Sequence, residues 1–237
     1  MNVHDTTYIL TNDNKLAIFP ISSETIGYEI LSQNLLMYMT TYRNNNCKAV
    51  IVHEHIWSTK NGIIKSILLG YFKKNKIIYA RKTNIMDIAQ TTYDDFLEQH
   101  HLLGTTRSRY KYGLYHLGKL VAVAGFGKPL YMKYEAIPYL STELIRFVNK
   151  SGISVAGALS KFIHHFTSQV HTDEIMTYVD LEWSNGESYC KIGFEITSAT
   201  PPIKIRDTSN VKQHNDGKTT MQGRPNMGNL KLVKKIF

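Results

Sequence analysis

Directly ahead of a helical repeat, the chain carries five residues of little bulk, Ser154-Val155-Ala156-Gly157-Ala158. The repeat follows at Leu159, Phe162, Ile163, Phe166 and Val170, one face of a helix. Small residues at a helix N-terminus let backbone N–H groups approach a ligand, and those groups together with the helix dipole favour an anion. A diphosphate is the natural candidate. The same run also suits a plain tight turn in a strand–helix–strand unit.

Other side chains offer proton chemistry or charge. Asp180 stands at a strand end, where it could orient an amine or cap the turn Trp183–Gly186. Glu143 and Arg146 sit at odd spacing on one strand, so their side chains are expected on opposite faces. Arg107, Arg109 and Lys111 lie in a polar, basic loop, and Lys133 in an aromatic-basic stretch with Tyr131, Tyr134 and Tyr139; both suit phosphate contact. His53-x-His55, His100-His101 and His164-His165 are adjacent or nearly so. Neighbours on a helix point about 100° apart, so no metal site is assigned to them.

These residues need a scaffold. Glu143–Val148 and Ile175–Val179 read as buried strands flanking the helix, and Tyr189–Phe194 as a short helix stopped by Gly193. Upstream, Tyr93–Leu103 reads as a helix capped by Thr91 or Thr92. Two strands, Tyr112–Leu117 and Leu120–Phe126, are joined by a turn at Gly118-Lys119, and residues 129–140 read as a loop. Towards the N-terminus a strand pair turns at Asn12-Asp13-Asn14, a helix starts at Ser22-Ser23-Glu24, and Ala49–Ile56, Lys60–Leu69 and Lys76–Arg81 read as strand, helix and strand. The expected fold is α+β: a mixed, mostly antiparallel central sheet flanked by helices. The expected parts are an α/β appendage at 1–88, a main domain at 89–202, and a basic, poorly packed tail at 203–237, with a closing strand at Leu230–Phe237.

Composition narrows the function classes. With 28 Lys and Arg against 19 Asp and Glu the net charge is +9, which suits an anionic partner such as nucleic acid or a phosphate-bearing cofactor. Eight of those cations and two aspartates fall in residues 203–237, so the excess is mostly a tail property. Two cysteines, Cys47 and Cys190, give neither a disulfide framework nor a CxxC zinc pattern. A reducing cytoplasm fits, with no signal peptide and no apolar run long enough to cross a bilayer.

A small-residue loop opening a helix, then a strand, a short helix and the ending Tyr189-x-Lys191-x-Gly193-Phe194 resemble the acyl-CoA-binding half of the GNAT acyltransferase fold. The resemblance implies that amides of the loop Val155, Ala156, Gly157, Ala158 and Ser160 hold the CoA pyrophosphate of acetyl-CoA or another acyl-CoA. It also implies that Tyr189 protonates the leaving sulfur, and that two central strands part to admit the thioester. The family's loop usually opens with Arg or Gln and carries Gly or Ala two places past its central glycine; here Ser154 and Leu159 stand there. Glu143-Leu-Ile-Arg146, Ser160, Tyr178-Val-Asp180, and Tyr189 with an aromatic five places on are similar to the Mom-type DNA-modification proteins of phages. Tyr112–Lys128, Val50–Trp57, Lys60, Ser66, Leu68 and Ile78–Lys82 resemble phage homing-endonuclease-associated proteins. For the nuclease half of those proteins only Asp13-x-Lys15 has suitable spacing, too little to hold a metal.

Taken together these features point to a phage- or mobile-element-type N-acyltransferase acting on a DNA base amine, with Tyr189, Asp180 and Glu143 as catalytic candidates. The alternatives are a DNA-binding accessory domain that keeps the fold without catalysis, and a small-molecule N-acetyltransferase.

Overall fold

The computed structural model describes residues 2–3, 6–11, 13–22, 28–134, 137–202, 204–205, 211–213, 219–221 and 224–236. The expected helix start at residues 23–24, Asn12 of the first turn, and most of residues 203–223 lie outside them. The chain divides into two units. The first comprises Met1–Thr59, Tyr178–Glu187 and Ile196–Lys231; the second comprises Lys60–Thr177, Ser188–Glu195 and Leu232–Phe237.

The first unit is built on three strands, β1 (Ile9–Leu10), β2 (Leu16–Ile21) and β3 (Lys48–His53), with α1 (Tyr28–Asn44) between the last two. β1 and β2 are antiparallel, and β2 and β3 run parallel from Leu16↔Lys48 to Ile21↔His53. Ala17, Phe19, Ile21, Ala49 and Ile51 face Leu35 and Met39 of α1 in a sealed core. The alternation of β2 and the four-residue step in α1 supply those positions. Arg43 of α1 donates to the carbonyls of Ala49 (2.7 Å) and Leu181 (2.9 Å).

Helix α2 (Glu54–Tyr71) begins where β3 ends, so Glu54, His55 and Ile56 are helical rather than the continuation of a strand. It kinks at Lys60 (φ −130°, ψ 28°), the residue at which the second unit begins. The boundary therefore falls at Thr59, not near residue 88. The physical reason is that 60–88 belongs to the second unit's own framework. There β4 (Lys76–Tyr79) leads through the 3₁₀ turn Ala80–Lys82 to β5 (Asn84–Asp87), the edge strand of the main sheet.

The main sheet is completed by β6 (Tyr110–His116), β7 (Lys119–Phe126), β8 (Leu130–Tyr134), β9 (Ile137–Asn149), β11 (Glu174–Asp180), β12 (Glu195–Ala199) and β13 (Asn229–Lys235). Between β9 and β11 the chain forms β10 (Ile153–Ala156) and α4 (Ala158–Gln169); α3 (Gln90–His100) precedes β6, and the short α5 (Glu187–Cys190) precedes β12. The strand order is β12-β13-β11-β9-β7-β6-β5, with β8 paired to β9 off that path. The pairs β5–β6, β6–β7, β7–β9 and β8–β9 are antiparallel, and β9–β11 is parallel. This is the mixed, mostly antiparallel sheet flanked by helices that the sequence implies. The expected loop at 129–140 is instead the hairpin β8–β9, and the closing strand spans Asn229–Lys235.

The two faces of the sheet take different helices. Val123 of β7 meets Tyr93, Phe96 and Leu97 of α3. Three residues on, and so on the opposite face, Phe126 stacks on Phe166 of α4 at 4.4 Å, and Phe147 of β9 meets Phe162. Thr91 and Thr92 lie inside α3, whose first turn is entered from Ala89 without a side-chain cap. The tip of the β6–β7 hairpin takes positive φ at Leu117 and Gly118 (49° and 73°), one residue earlier than the sequence suggests.

Gly125 of β7 is required by a close approach. A Cβ there would lie 2.0 Å from the Tyr93 hydroxyl and 2.4 Å from the Ser108 hydroxyl, and both residues are buried. Gly125→Ala is expected to cost about 1–3 kcal/mol through overpacking. At Gly127 a Cβ would meet nothing closer than 3.7 Å, so Gly127→Ala should cost less than about 1 kcal/mol. Denaturant midpoints of the two variants check this contrast.

Candidate active site

The second unit's site grows from the connection between its parallel strands. β9 and β11 pair over three positions only, Ser141↔Glu174, Thr142↔Ile175 and Glu143↔Met176. The start of that ladder is locked by buried polar contacts. Thr142 donates to the Thr172 hydroxyl (2.9 Å), Ser141 to the Glu174 carboxylate (2.8 Å), and Lys235 pairs with Glu174 at 2.6 Å. At its end the Thr177 hydroxyl donates to the Leu144 carbonyl at 2.9 Å.

There β9 changes its pairing with β7. Leu144 lies opposite Phe126 and Arg146 opposite Gly125, so Ile145 is an extra residue, a β-bulge. The bulge overturns the expected opposition of Glu143 and Arg146. An extra residue resets the two-residue alternation, and both side chains fall on the α3 face. Glu143 is half-buried, and its carbonyl accepts from Gly127 N–H at 2.9 Å.

From β9 the chain turns into β10, which pairs parallel with β4, Val155 opposite Ile78 and Ala156 opposite Tyr79. The expected loop of small residues is therefore half strand. Only Gly157 remains as the break, in the left-handed region at φ 81°. Val155 and Ala158 are buried, whereas Ala156, Gly157 and Ser160 are exposed. No side chain caps the helix at Gly157 and its first turn holds no acid. The first helical N–H with an acceptor is that of Lys161, to Gly157 at 3.1 Å; those of Ala158, Leu159 and Ser160 have none among the described residues. Leu159, half-buried, shares the inward face with Phe162, Ile163 and Phe166.

A residue that the sequence did not single out fixes this terminus. Lys161 Nζ donates to the carbonyls of Ala80 (2.9 Å) and Thr83, clasping the 3₁₀ turn beside Gly157. That turn presents exposed Arg81 and Lys82, and the Arg81 guanidinium stacks over the Tyr79 ring at 5.2 Å. No local spacing could have revealed the pairing of Lys161 with residues so far upstream.

Tyr189 lies in α5 with Phe194 edge-on at 5.5 Å. Desolvation pushes its hydroxyl up to about 12, so it remains a proton donor throughout the neutral range. Lys234 supports this turn by donating to Ile192 at 2.9 Å. Among the basic candidates, Arg107 and Arg109 are exposed, Lys111 is tied back to the Ser108 carbonyl at 3.0 Å, and Lys133 is exposed on β8. His100 bonds Ser151 at 3.1 Å, and His165 lies edge-on to Tyr112. The described residues contain no group of three or more His, Cys, Asp and Glu side chains suited to a metal.

Asp180 belongs to the first unit. Its Oδ1 accepts from Glu182 N–H (2.9 Å) and its carbonyl from Trp183 and Ser184, so it caps the following turn. Nearby, His53 Nε2 lies 3.1 Å from both oxygens of the buried Glu182. Burial, and then the charge of Glu182, push the Asp180 carboxyl up to about 7.

No protein-family model and no curated protein matches the chain. Among solved structures it is similar to a Bacillus subtilis acetyltransferase in complex with CoA, at 13% identity and a TM-score of 0.44, over 66% of this chain and 100% of that one. It is also similar to the ribosomal-protein-S18-alanine N-acetyltransferase of Escherichia coli (11%, TM-score 0.43, 65% of this chain and 94% of that one). A third is a GNAT family acetyltransferase of Elizabethkingia anophelis with acetyl-CoA bound (12%, TM-score 0.40, 65% and 99%).

The Asp180 carboxyl gives a pH prediction. With its folded value near 7 against an ordinary 3.8, the folded state holds the proton more tightly. The stability it contributes is complete below about pH 4 and lost as pH rises towards 7. Asp180→Asn keeps the capping oxygen without the charge. It should match the parent near pH 4 and exceed it above pH 7 by on the order of 1–3 kcal/mol, read from thermal unfolding across pH.

Proposed function

We propose that the second unit is an acyl-CoA-dependent N-acyltransferase of the GNAT type, and that its acceptor is an amine of a nucleic acid base. The observation that carries this is the three-rung parallel pair β9–β11, opening beside a bulge and joined by a helix whose first three amides are uncapped. The residues present fit the cofactor's diphosphate. The exposed Ala156–Gly157 edge has no side chain in the way, since a Cβ on Gly157 would meet only Ala80 at 3.6 Å. The α4 first turn has no competing acid, and Arg81 and Lys82 add positive charge alongside. When bound, acyl-CoA supplies the activated acyl group as a thioester.

The protein's own groups divide the remaining work. Amides of Ala158, Leu159 and Ser160 would hold the diphosphate. Tyr189, kept protonated, would supply the proton for the thiolate that leaves. Glu143, on the α3 face beside the bulge, orients the acceptor amine and takes its proton. For the acceptor, the support is the outward-facing cations Arg107, Arg109 and Lys133, the net charge of +9, and the resemblance to the Mom-type phage proteins. Such an amine is unreachable inside a duplex, so the acceptor base must be flipped out or single-stranded.

Calorimetric titration with acetyl-CoA tests the cofactor. Ser160→Asp places a negative charge in the first turn of α4, which favours the helix but repels a diphosphate. The expected outcome is saturable binding by the parent and an affinity at least about tenfold lower in the variant, with its melting temperature unchanged or raised. No binding to the parent at millimolar acetyl-CoA would overturn the enzyme reading.

A further inference from the structure

The α3 face of the bulge holds a cation whose charge the fold leaves uncompensated. Arg146 is half-buried, and its one hydrogen bond among the described residues runs from Nη1 to the carbonyl of its neighbour Ile145, at 2.9 Å. Its Nε is fully buried and has no partner there. No carboxylate of the described residues pairs with it within 4 Å. Desolvation lowers its proton affinity, and Glu143 and Tyr93 only partly offset that.

Every element packed around it has been fixed for another purpose. The Tyr93 hydroxyl is engaged with Ser108 at 3.1 Å. Lys60 Nζ donates to the Leu102 carbonyl (3.0 Å) and lies 3.7 Å from Glu98, a mostly exposed acid. His101 Nδ1 accepts from Leu103 N–H at 3.1 Å, which leaves its proton on Nε2. Burial and the charges of Arg146 and Lys60 pull its value down to about 3, so it is neutral. The opposing strand contributes Gly125, with no side chain at all. Arg146 therefore faces a cation, neutral groups and one acid, Glu143, on its own strand. A half-buried charge in that setting costs stability unless a counter-charge arrives.

We propose that Arg146 receives an oxyanion, a phosphate or a carboxylate, carried by the acyl acceptor whose amine Glu143 orients. The word acceptor rests on the acyltransferase reading; the oxyanion site rests on the geometry alone. A guanidinium offers forked N–H donors that match either oxyanion. Lys60 adds positive charge, and the neutral His101 adds its Nε2–H as a donor. An acceptor with an amine and an acid a few bonds apart would span Glu143 and Arg146.

The test compares thermal unfolding of the parent, Arg146→Lys and Arg146→Met in chloride, phosphate and propionate at matched ionic strength. In chloride, Arg146→Met should melt at or above the parent, by up to roughly 2–4 °C. Phosphate should raise the parent's melting temperature more than that of Arg146→Met, with Arg146→Lys in between; phosphate held at the α4 terminus affects all three alike and cancels. A gain of the parent over Arg146→Met with propionate alone would sustain the oxyanion site, assign it to a carboxylate and remove the nucleic acid acceptor. An Arg146→Met protein that melts below the parent in chloride, or equal gains in all three proteins, would overturn the proposal. Acetyl-CoA titration of Arg146→Met separates the two readings. Binding retained there leaves the acyltransferase reading standing whatever the oxyanion result, and binding absent from the parent removes it without touching the oxyanion result.

Discussion

One extra residue in β9 sets the chemistry of the second unit. Strand side chains alternate with a period of two, so a single insertion reassigns every later side chain to the other face. Ile145 is that insertion. It brings Glu143 and Arg146 to one face and turns Phe147 towards Phe162 on the other. It also falls where pairing with β11 stops. A regular strand would have buried Arg146 against the aromatic face of α4, where no group could solvate it. Gly125 completes the arrangement, because the space opposite Arg146 is taken by the Tyr93 and Ser108 hydroxyls.

Unpaired or shifted charges recur, and each has a local cause. Asp180 is a capping residue whose carboxylate is disfavoured by burial and by Glu182. His101 is held neutral by burial, with two neighbouring cations adding to it. Tyr189 is held protonated by desolvation alone. Tyr189 therefore keeps a proton to give at neutral pH, and Arg146 keeps a charge that Tyr93 and Glu143 offset only in part. Perturbed groups gather at functional sites, yet the cap at Asp180 shows that structural turns perturb them too.

The fold class was legible because it rests on local periodicity. The apolar face of α4, the alternation of β6 and β7, and the glycine before α4 are all visible in the string. Long-range pairing was hidden. Ser154–Ala156 read as a flexible loop because nothing nearby indicates that Lys76–Tyr79 will pair with it. The boundary near residue 88 failed for the same reason, since β4 and β5 look self-contained until their partners are known. The site was half legible. Gly157 and the tail of α5 announce themselves by type, whereas the shared face of Glu143 and Arg146 depends on a bulge that no residue identity encodes. The hold of Lys161 on the Ala80–Thr83 turn was equally out of reach.

The division of the chain has a consequence for its synthesis. Each unit is assembled from three separated segments, and the second closes with Leu232–Phe237. The first needs Ile196–Lys231, and Leu181 lies in its core. A ribosome therefore completes the first unit only once Ile196–Lys231 has emerged, and the second only once Leu232–Phe237 has. β4 must wait for β10, and β11 and β12 for β13, a topology that slows folding and lengthens the exposure of open strand edges. Termination ahead of Lys235 would withhold the Lys235–Glu174 pair that locks the opening of the parallel strands.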